Sequence, residues 1–238
     1  MSLGDSFVYS GAVHHFADSS NELHLPVLPI WKNTLSTLYQ DYRNIIIAPI
    51  ENYPVDELEY IRRKNLSKLD RLPIFGLNIN GNHVSPLWDI QIYHFLELPY
   101  SLRYSNFRLP KEIKESDLLY TTLVTPGEYY VLVASGRGDI GNSTISLEEV
   151  RKHYNLPENV KVIVLDSLSD NMMHYVKLIQ NASEIHCVPS AFYCLIENMH
   201  KHTNAKLFFH ANRANTLMNV SSVWNNYRWN IIEYARKL

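Results

Sequence analysis

The sequence predicts an α/β protein made of two Rossmann-like halves, each built on a parallel sheet, and three observations lead to this fold class. Between residues 129 and 209, four short apolar runs alternate with helical patterns. Each gap between the runs suits one crossover helix and not a hairpin, so the strands must be parallel. The first half of the chain alternates helix and strand patterns in the same way. We therefore expect two wound halves whose strand ends face a shared cleft.

The second half of the chain carries the clearest elements. Its apolar runs are rich in valine, isoleucine, leucine and aromatic residues, as strands covered on both faces are, and they span residues 129–134, 160–165, 183–188 and 205–209. The helical patterns between them have apolar residues three and four apart and span residues 146–154, 171–181 and 192–202. A terminal helix is predicted over residues 223–238, which are rich in tryptophan, tyrosine and isoleucine.

The first half begins with a predicted helix over residues 6–17, and Asp5 is expected at or just before its N-terminus. The patterns that follow predict strands at residues 22–25, 44–49 and 72–79 and helices at residues 33–42, 55–65 and 86–96. From residue 97 to Pro126 the periodicity weakens and prolines recur, which is typical of a linker. We expect an N-terminal domain with this linker at residues 1–125 and a C-terminal domain at residues 126–238.

Composition indicates a globular protein and argues against several classes of partner. Of 238 residues, 46% are hydrophobic and 19% are charged, and the formal net charge is −2. A chain of this charge has no general attraction to nucleic acid or to an anionic membrane surface. No run of about 18 apolar residues occurs, so we expect no integral membrane segment. The sequence leaves the oligomeric state open.

Cysteine and histidine usage favours a reducing compartment and no metal centre. The two cysteines, Cys187 and Cys194, have neither metal-knuckle nor redox-pair spacing, and their number excludes a disulfide framework. The eleven histidines are scattered along the chain, whereas a zinc site needs three or four convergent ligands. We therefore predict a cytoplasmic protein with no bound metal and no cofactor.

A glycine-rich stretch follows the first strand of the second half. Ligands of parallel sheets collect beyond the carboxyl ends of the strands, and this stretch contains Gly136, Arg137, Gly138 and Gly141. It matches neither the dinucleotide fingerprint nor the P-loop. Its backbone N–H groups suit a phosphate, and Arg137 suits a bidentate contact to the same anion. The alternative interpretation is a surface loop with no ligand.

Three further polar residues follow the other strands of this half. Ser190 comes at a predicted helix N-terminus, which favours a phosphate, or it is an ordinary N-cap. Arg213, near His210, is expected to face the same anion, or it is a surface ion-pair partner. Asp166 is placed to bind a ribose or a base edge, or it belongs to a plain turn. All of these positions lie at one edge of the predicted sheet.

Short motifs in both halves resemble known sugar-transferring enzymes. Ser-Leu-Gly-Asp at residues 2–5, followed by an apolar helix, resembles the opening of bacterial lipopolysaccharide heptosyltransferases. Residues 185–192 resemble the strand-to-helix turn of those enzymes and of α-1,6-fucosyltransferases. Residues 93–107, together with His210, Arg213 and Trp229, resemble small glycosyltransferase-like proteins of bacteria and their viruses. The plan of two Rossmann-like halves across a cleft is that of the GT-B glycosyltransferases.

This resemblance implies a function and a set of roles. It implies a metal-independent glycosyltransferase that moves a sugar from a nucleotide-diphosphate donor to a glycan or other acceptor. Asp5 would be the catalytic base, while Gly136, Arg137, Asp166, Ser190 and Arg213 would bind the donor. For Asp5 the alternative is that it only caps the first helix.

Two other functions remain open from the sequence. One is a catalytically silent protein of the same fold that binds nucleotide or glycan, because Pro189 stands where those families carry an aspartate. The other is a different α/β enzyme such as a phosphatase or hydrolase. Against a hydrolase stands the absence of a Gly-x-Ser-x-Gly nucleophile elbow.

Overall fold

A computed structural model of the protein describes residues 3–52, 56, 59–60, 63–64, 88–134, 145, 147–154, 156, 158–165, 168–211 and 228–233. These residues form an α/β structure with two separate parallel sheets, one of two strands and one of five. The described chain divides into two compact units between Ile113 and Lys114. We call them the first unit and the second unit.

The first unit is a helical assembly around a two-stranded parallel sheet. Its elements are α1 (Leu3–Ala17), β1 (Leu23–Val27), a 3-10 turn (Pro29–Trp31), α2 (Lys32–Leu38), β2 (Ile45–Pro49), α3 (Trp88–Phe95) and α4 (Leu102–Ser105). Strands β1 and β2 pair in parallel register, with Leu23 opposite Ile45. Most of the side chains of α1 are buried, so this helix is the core of the unit rather than a surface layer.

The second unit is a five-stranded parallel sheet with a helix in each of the first three connections between its strands. Its elements are α5 (Lys114–Leu123), β3 (Tyr130–Ala134), α6 (Leu147–Tyr154), β4 (Lys161–Val164), a 3-10 turn (Met172–Tyr175), α7 (Val176–Asn181), β5 (Glu184–Cys187), α8 (Ala191–Asn198), β6 (Lys206–Ala211) and β7 (Trp229–Glu233). The strand order is β4-β3-β5-β6-β7, and every neighbouring pair is parallel. In chain order this is 2-1-3-4-5, one of the two common doubly wound orders.

Both faces of the second sheet are apolar where helices cover them. On one face, Tyr130 of β3 donates a hydrogen bond of 2.7 Å to the carbonyl of Leu178 in α7, and the ring of Tyr193 in α8 packs on Phe209 of β6. On the other face, Val150 of α6 packs within a cluster that includes Val131 and Val133. A strand that is buried on both faces consists of a continuous run of apolar residues, so these strands could be predicted from the sequence.

The alternation predicted for residues 129–209 is confirmed. The structure has strands in all four predicted apolar runs and helices in all three gaps between them. In the first half, the helix ending at Ala17, both strands of the two-stranded sheet and the helix Trp88–Phe95 also match the predicted elements. The predicted strand at residues 72–79 lies outside the described residues, as does most of the predicted helix at residues 55–65.

The predicted terminal helix is wrong over the residues that the structure describes there. Residues Trp229–Glu233 form strand β7, which pairs with β6 along the edge of the sheet. The indole Nε1 of Trp229 donates a buried hydrogen bond of 2.6 Å to Glu197 of α8. The strand is therefore fixed both by backbone pairing and by a side-chain bond to a helix.

The stretch predicted as a linker, residues 97–126, contains helices α4 and α5. Helix α5 packs against the 3-10 turn and α7 of the second unit, and Ser116 accepts a hydrogen bond of 2.8 Å from the backbone N–H of Lys177. This helix therefore belongs with the five-stranded sheet, although it lies before Pro126. The predicted boundary between residues 125 and 126 stays a prediction.

Candidate functional site

The strand order of the second unit defines one position where a ligand crevice is expected. The chain leaves β3 in one direction to form β4 and then returns past β3 to form β5. The connections after β3 and β5 therefore diverge at the carboxyl ends of these two strands, where doubly wound sheets bind their ligands. The residues that follow are 135–144 after β3 and Val188, Pro189 and Ser190 after β5.

Ser190 is the N-cap of α8. Its backbone is extended (φ −163°, ψ 175°), and its Oγ accepts a hydrogen bond of 3.4 Å from the backbone N–H of Tyr193. The thiol of Cys187 lies 3.8 Å from the same Oγ and 3.1 Å from the carbonyl of Val188. The capping role that the sequence allowed for Ser190 is thus present, and it places the hydroxyl at the carboxyl edge beside β5.

Asp5 lies within the first helix rather than before it. Helix α1 begins at Leu3, so Asp5 is in its first turn and is partly exposed. A carboxylate in this position is favoured by the partial positive charge of the helix N-terminus. The expected position at or just before the N-terminus is therefore corrected to the first turn, because α1 starts earlier than the apolar pattern indicated.

The remaining candidate residues are Gly136, Arg137, Asp166 and Arg213, and all four lie outside the described residues. Of the six candidates, only Asp5 and Ser190 are described, and they belong to different units. Their roles in a site stay predictions.

Three polar side chains that the sequence analysis did not connect with one another lie on one face of the second sheet. Glu184 and His186 alternate along β5 and so share one face, and His210 of β6 lies diagonally beside them. Nδ1 of His186 is 2.9 Å from Nε2 of His210, and Nε2 of His186 is 3.6 Å from Oε2 of Glu184. Both histidines are fully buried. We call Glu184, His186 and His210 the polar row.

Further groups meet the polar row near the start of β5. The hydroxyl of Tyr129 donates a hydrogen bond of 2.7 Å to Oε1 of Glu184, and Nζ of Lys206 is 3.8 Å from the same oxygen. Burial, followed by the contact with Glu184, raises the pKa of Tyr129 to about 12. Burial alone lowers the pKa of His186 to about 4, so this ring is neutral at pH 7.

The first unit contains a buried ion pair. Nη1 of Arg103 in α4 lies 2.6 Å from Oδ2 of Asp89 in α3, and both side chains are almost completely buried. The hydroxyl of Tyr100 donates to the same carboxylate oxygen at 2.7 Å. The guanidinium also lies over the ring of Tyr104, at 5.2 Å from its centroid. Burial raises the pKa of Tyr100, so its hydroxyl remains a donor to the pair.

Gly11 allows α1 to lie against the backbone of the helix that carries Arg103. A Cβ at Gly11 would lie 2.2 Å from the carbonyl oxygen of Leu102 and 2.8 Å from Cα of Arg103. Only glycine permits this approach, because both atoms belong to the backbone of α4. Helix α1 is thus held directly against the element that carries the guanidinium.

His14, one turn further along α1, is a second buried histidine of the first unit. Its Nδ1 is 3.1 Å from the carbonyl of Asn106, so Nδ1 carries the hydrogen. Its ring packs against Tyr39, Tyr42 and Phe107. Burial, and then the positive charge of Arg108, lowers the pKa of His14 to about 4. The ring is therefore a neutral part of the aromatic core.

The sequence analysis predicted neither the polar row nor the ion pair of Arg103 and Asp89. The strand spacing of Glu184 and His186 was a signal for one shared face, but His210 joins them only through the register of β5 with β6.

Among the described residues, no group of three or more histidine, cysteine, aspartate or glutamate side chains is arranged to hold a metal ion. None of the helices described is both long enough and apolar enough to cross a bilayer.

Comparison with known proteins adds no relative: no family model, no curated protein and no solved structure matches the chain.

Proposed function

We propose that the protein is a glycosyltransferase that binds a nucleotide-diphosphate sugar at the carboxyl edge of its second sheet and transfers the sugar to a glycan or other acceptor. The observation that carries the proposal is the strand order. The chain places β4 on one side of β3 and then β5 on the other side. The glycine-rich stretch follows β3, and the turn that ends in Ser190 follows β5. The two stretches with anion-binding composition therefore follow the two strands where a ligand is expected.

The proposed donor site uses backbone and side-chain groups of one edge. The N-terminus of α8 offers backbone N–H groups and the positive end of a helix to a phosphate. Gly136 and its neighbours would add further N–H groups, and Arg137 and Arg213 would supply positive charge. Asp166 would bind the ribose. These groups stabilise the leaving diphosphate without a metal ion, as GT-B enzymes do.

Asp5 is the proposed catalytic base for the acceptor. Transfer requires a base that removes the proton of the attacking hydroxyl, and a carboxylate suits this task. The proposal includes the arrangement of two Rossmann-like halves across a cleft, with Asp5 on the acceptor side. The first turn of α1 leaves this carboxylate partly exposed, which suits a group that meets a substrate.

Pro189 favours a second candidate, a catalytically silent protein of the same fold that binds nucleotide or glycan. The related turn in heptosyltransferases and α-1,6-fucosyltransferases carries an aspartate at this point, and a proline has no charge to replace it. A silent protein would keep the phosphate-binding groups and lose only the transfer step.

Binding is tested by thermal shift and calorimetry of the full chain with UDP-, GDP- and ADP-sugars. We expect one nucleotide class to raise the melting temperature, and Arg137→Ala to weaken its binding at least tenfold, since a charge-assisted contact contributes about 1.5–3 kcal/mol. Lys201→Ala, at an exposed position outside the proposed site, is the matched control and should bind normally. Failure of every nucleotide sugar to bind would overturn the proposal.

Transfer is tested separately by product analysis with the nucleotide sugar that binds. Asp5→Asn should abolish product and leave donor binding and melting temperature nearly unchanged, because the amide keeps the size of the carboxylate. Equal product from Asp5→Asn would remove the base role. Donor binding without product across a broad panel of acceptors would favour the silent protein.

A further inference from the structure

A carboxylate, an imidazole and a phenol lie in a row at the start of β1 in the first unit. Glu22 directly precedes β1, and His24 is the second residue of the strand. Oε1 of Glu22 contacts Nε2 of His24. On the other side of the ring, Nδ1 of His24 is 2.6 Å from the hydroxyl of Tyr60, whose backbone is helical. We call Glu22, His24 and Tyr60 the tyrosine triad.

The two partners of His24 determine where the hydrogen of its neutral ring lies. The negative charge of Glu22 favours hydrogen on Nε2, as the aspartate of a catalytic triad orients its histidine. Nδ1 then has only a lone pair, so it accepts the hydrogen bond that the hydroxyl of Tyr60 donates. Burial, and then the charge of Glu22, raises the pKa of Tyr60, so the phenol keeps its proton at neutral pH. The imidazole is therefore placed to act as a base toward the phenolic proton.

The base of the triad is shielded from water, whereas the two ends of the triad are not. The side chain of His24 is 5% exposed and that of Glu22 is 61% exposed, and Tyr60 is partly exposed. Shielding strengthens the hydrogen bonds of the imidazole, and partial exposure of the phenol suits a group that meets a substrate. A nucleophile next to a base that a third group orients is the arrangement of nucleophilic catalysis on many folds.

We infer that Tyr60 is a nucleophile that takes an acyl group from an uncharged ester or thioester, with His24 as its general base and Glu22 as a positioning residue. The Oη–H bond of Tyr60 breaks as Oη bonds to the acyl carbon, and the proton moves to Nδ1 of His24. The bond from the acyl carbon to the leaving oxygen or sulfur then breaks, and the leaving atom takes the proton from Nδ1. The products are O-acyltyrosine and an alcohol or thiol, so no oxidant or reductant is needed. This step is independent of the proposed sugar transfer.

The charge beside Tyr60 favours one class of electrophile. Within the described part of the chain, the ionised side chain that acts on the phenol is that of Glu22, and its charge is negative. A phosphoryl or nucleotidyl donor brings negative oxygens, which cations normally neutralise during transfer. The carbonyl of an ester or thioester brings no charge, so Glu22 does not repel it. The triad therefore favours an acyl donor over a phosphoryl donor.

Acylation is tested on the full chain with p-nitrophenyl acetate, by release of nitrophenolate and by mass spectrometry of the labelled peptides. We expect Tyr60 to be acetylated about a hundredfold faster than Tyr129, because general base catalysis contributes about 10²–10⁴-fold. Tyr129 is the internal control, since it is half exposed and donates its hydrogen bond to the carboxylate of Glu184 rather than to an imidazole. Equal labelling of the two tyrosines would overturn the inference, as would labelling of Tyr60 by p-nitrophenyl phosphate but not by the acetate ester.

His24→Asn separates the base from its hydrogen bond. The amide oxygen of asparagine lies near the position of Nδ1, so it accepts the hydrogen bond of Tyr60 but does not take up the proton. We expect acetylation of Tyr60 to slow about a hundredfold and that of Tyr129 to match the wild type. An unchanged rate at Tyr60 would show that His24 is not the base.

Glu22→Gln tests the positioning role at an exposed residue, where substitutions disturb the fold little. The amide oxygen still accepts the hydrogen of Nε2, but the charge that stabilises the protonated ring of His24 is lost. In the wild type, the acetylation rate of Tyr60 should rise with pH until His24 is neutral and then level off, and in Glu22→Gln this rise should lie at lower pH. If His24→Asn does not fold, these profiles decide. Identical profiles, or a wild-type rate that does not level off, would contradict the triad.

Discussion

The two units bury polar side chains by different chemistry. The first unit buries a charged pair, Arg103 and Asp89, joined at 2.6 Å between helices α4 and α3. The second unit buries a neutral pair, His186 and His210, joined at 2.9 Å between neighbouring strands. Both pairs have almost no contact with solvent. The two pairs should therefore differ in how much stability is lost when one partner is removed.

A buried charge and a buried neutral ring respond differently to the loss of a partner. Removing one ion of a buried pair leaves the other charge without compensation, which costs about 3–5 kcal/mol. Removing one neutral partner leaves an unsatisfied polar group, which costs about 1–3 kcal/mol. We therefore expect the first unit to be sensitive to single substitutions at neutral pH and the second to be more tolerant.

The largest expected effect is that of Asp89→Asn. The amide keeps the shape of the carboxylate but not its charge, so the guanidinium of Arg103 stays buried without a counter-ion. We expect a loss of about 3–5 kcal/mol in the free energy of unfolding of the first unit. Urea unfolding followed by fluorine NMR of labelled tryptophans measures each unit by itself, with Trp31 reporting on the first unit and Trp229 on the second.

The matched control is Asp18→Asn, which breaks an ion pair with Arg108 that is about half exposed. Exposed pairs contribute less than about 1 kcal/mol, because water and salt screen them. If Asp89→Asn and Asp18→Asn lower the free energy of unfolding by similar amounts, burial of the Arg103–Asp89 pair does not increase the cost of losing a partner. The comparison between the units would then fail.

Gly11→Ala has the next largest expected effect. The added methyl would lie 2.2 Å from a backbone oxygen of α4, so α1 and α4 must separate. Overpacking of this kind costs about 3 kcal/mol, and separation also disturbs Arg103. The Trp31 signal should unfold at lower urea concentration while the Trp229 signal keeps its midpoint.

Gly127→Ala is the control for a glycine effect without overpacking. Gly127 has φ +80°, and no atom lies within 4 Å of its added Cβ, so the cost is backbone strain of about 1 kcal/mol. A loss from Gly11→Ala no larger than that from Gly127→Ala would mean that the close approach of α1 to α4 is relieved at little cost.

The elements of the second sheet could be predicted from the sequence because burial on both faces leaves a direct mark. Runs such as Tyr130–Ala134 are continuously apolar, and the helices between them have the three-and-four spacing. Strand β7 escaped prediction for the opposite reason. Its apolar residues Trp229, Ile231 and Ile232 fit either period, and a short apolar run does not distinguish strand from helix. Its pairing with β6 decides the outcome, and pairing is not local in sequence.

The buried polar pairs escaped prediction because they join distant positions. Arg103 and Asp89 are 14 residues apart, and His186 and His210 are 24 residues apart. No periodicity links such positions, and only the crossing of two helices or the register of two strands brings them together. The candidate residues at strand ends could be named from the sequence, because a strand end is a local feature of the sequence, and their roles stay predictions.

A smaller effect is the pH dependence of stability that a buried histidine gives to each unit. The pKa of His14 and that of His186 are both lowered to about 4 from an ordinary value of 6.5. Between pH 6.5 and 4 the unfolded chain therefore binds more protons than the folded chain, so stability falls as pH falls through this window. For one such histidine the loss from pH 7 to pH 5 is about 2 kcal/mol.

We expect His14 to contribute more of this loss than His186. The positive charge of Arg108 disfavours a charged His14, whereas the carboxylate of Glu184, 3.6 Å from His186, favours a charged ring. Urea unfolding of His14→Leu and His186→Leu at pH 7 and pH 5 measures each contribution as the part of the pH dependence that the substitution removes. A larger reduction in His186→Leu would reverse the comparison.

The smallest expected effect lies at Ser190 and separates its capping role from its proposed ligand role. Ser190→Ala removes the acceptor for the N–H of Tyr193 and should cost about 1 kcal/mol in the second unit. Ser190→Asp keeps a capping oxygen, so its melting temperature should remain near that of the wild type. The same aspartate places a negative charge where the proposed diphosphate would meet the N-terminus of α8, so it should abolish nucleotide-sugar binding. Normal binding by Ser190→Asp would leave Ser190 as a cap and move the diphosphate away from this helix.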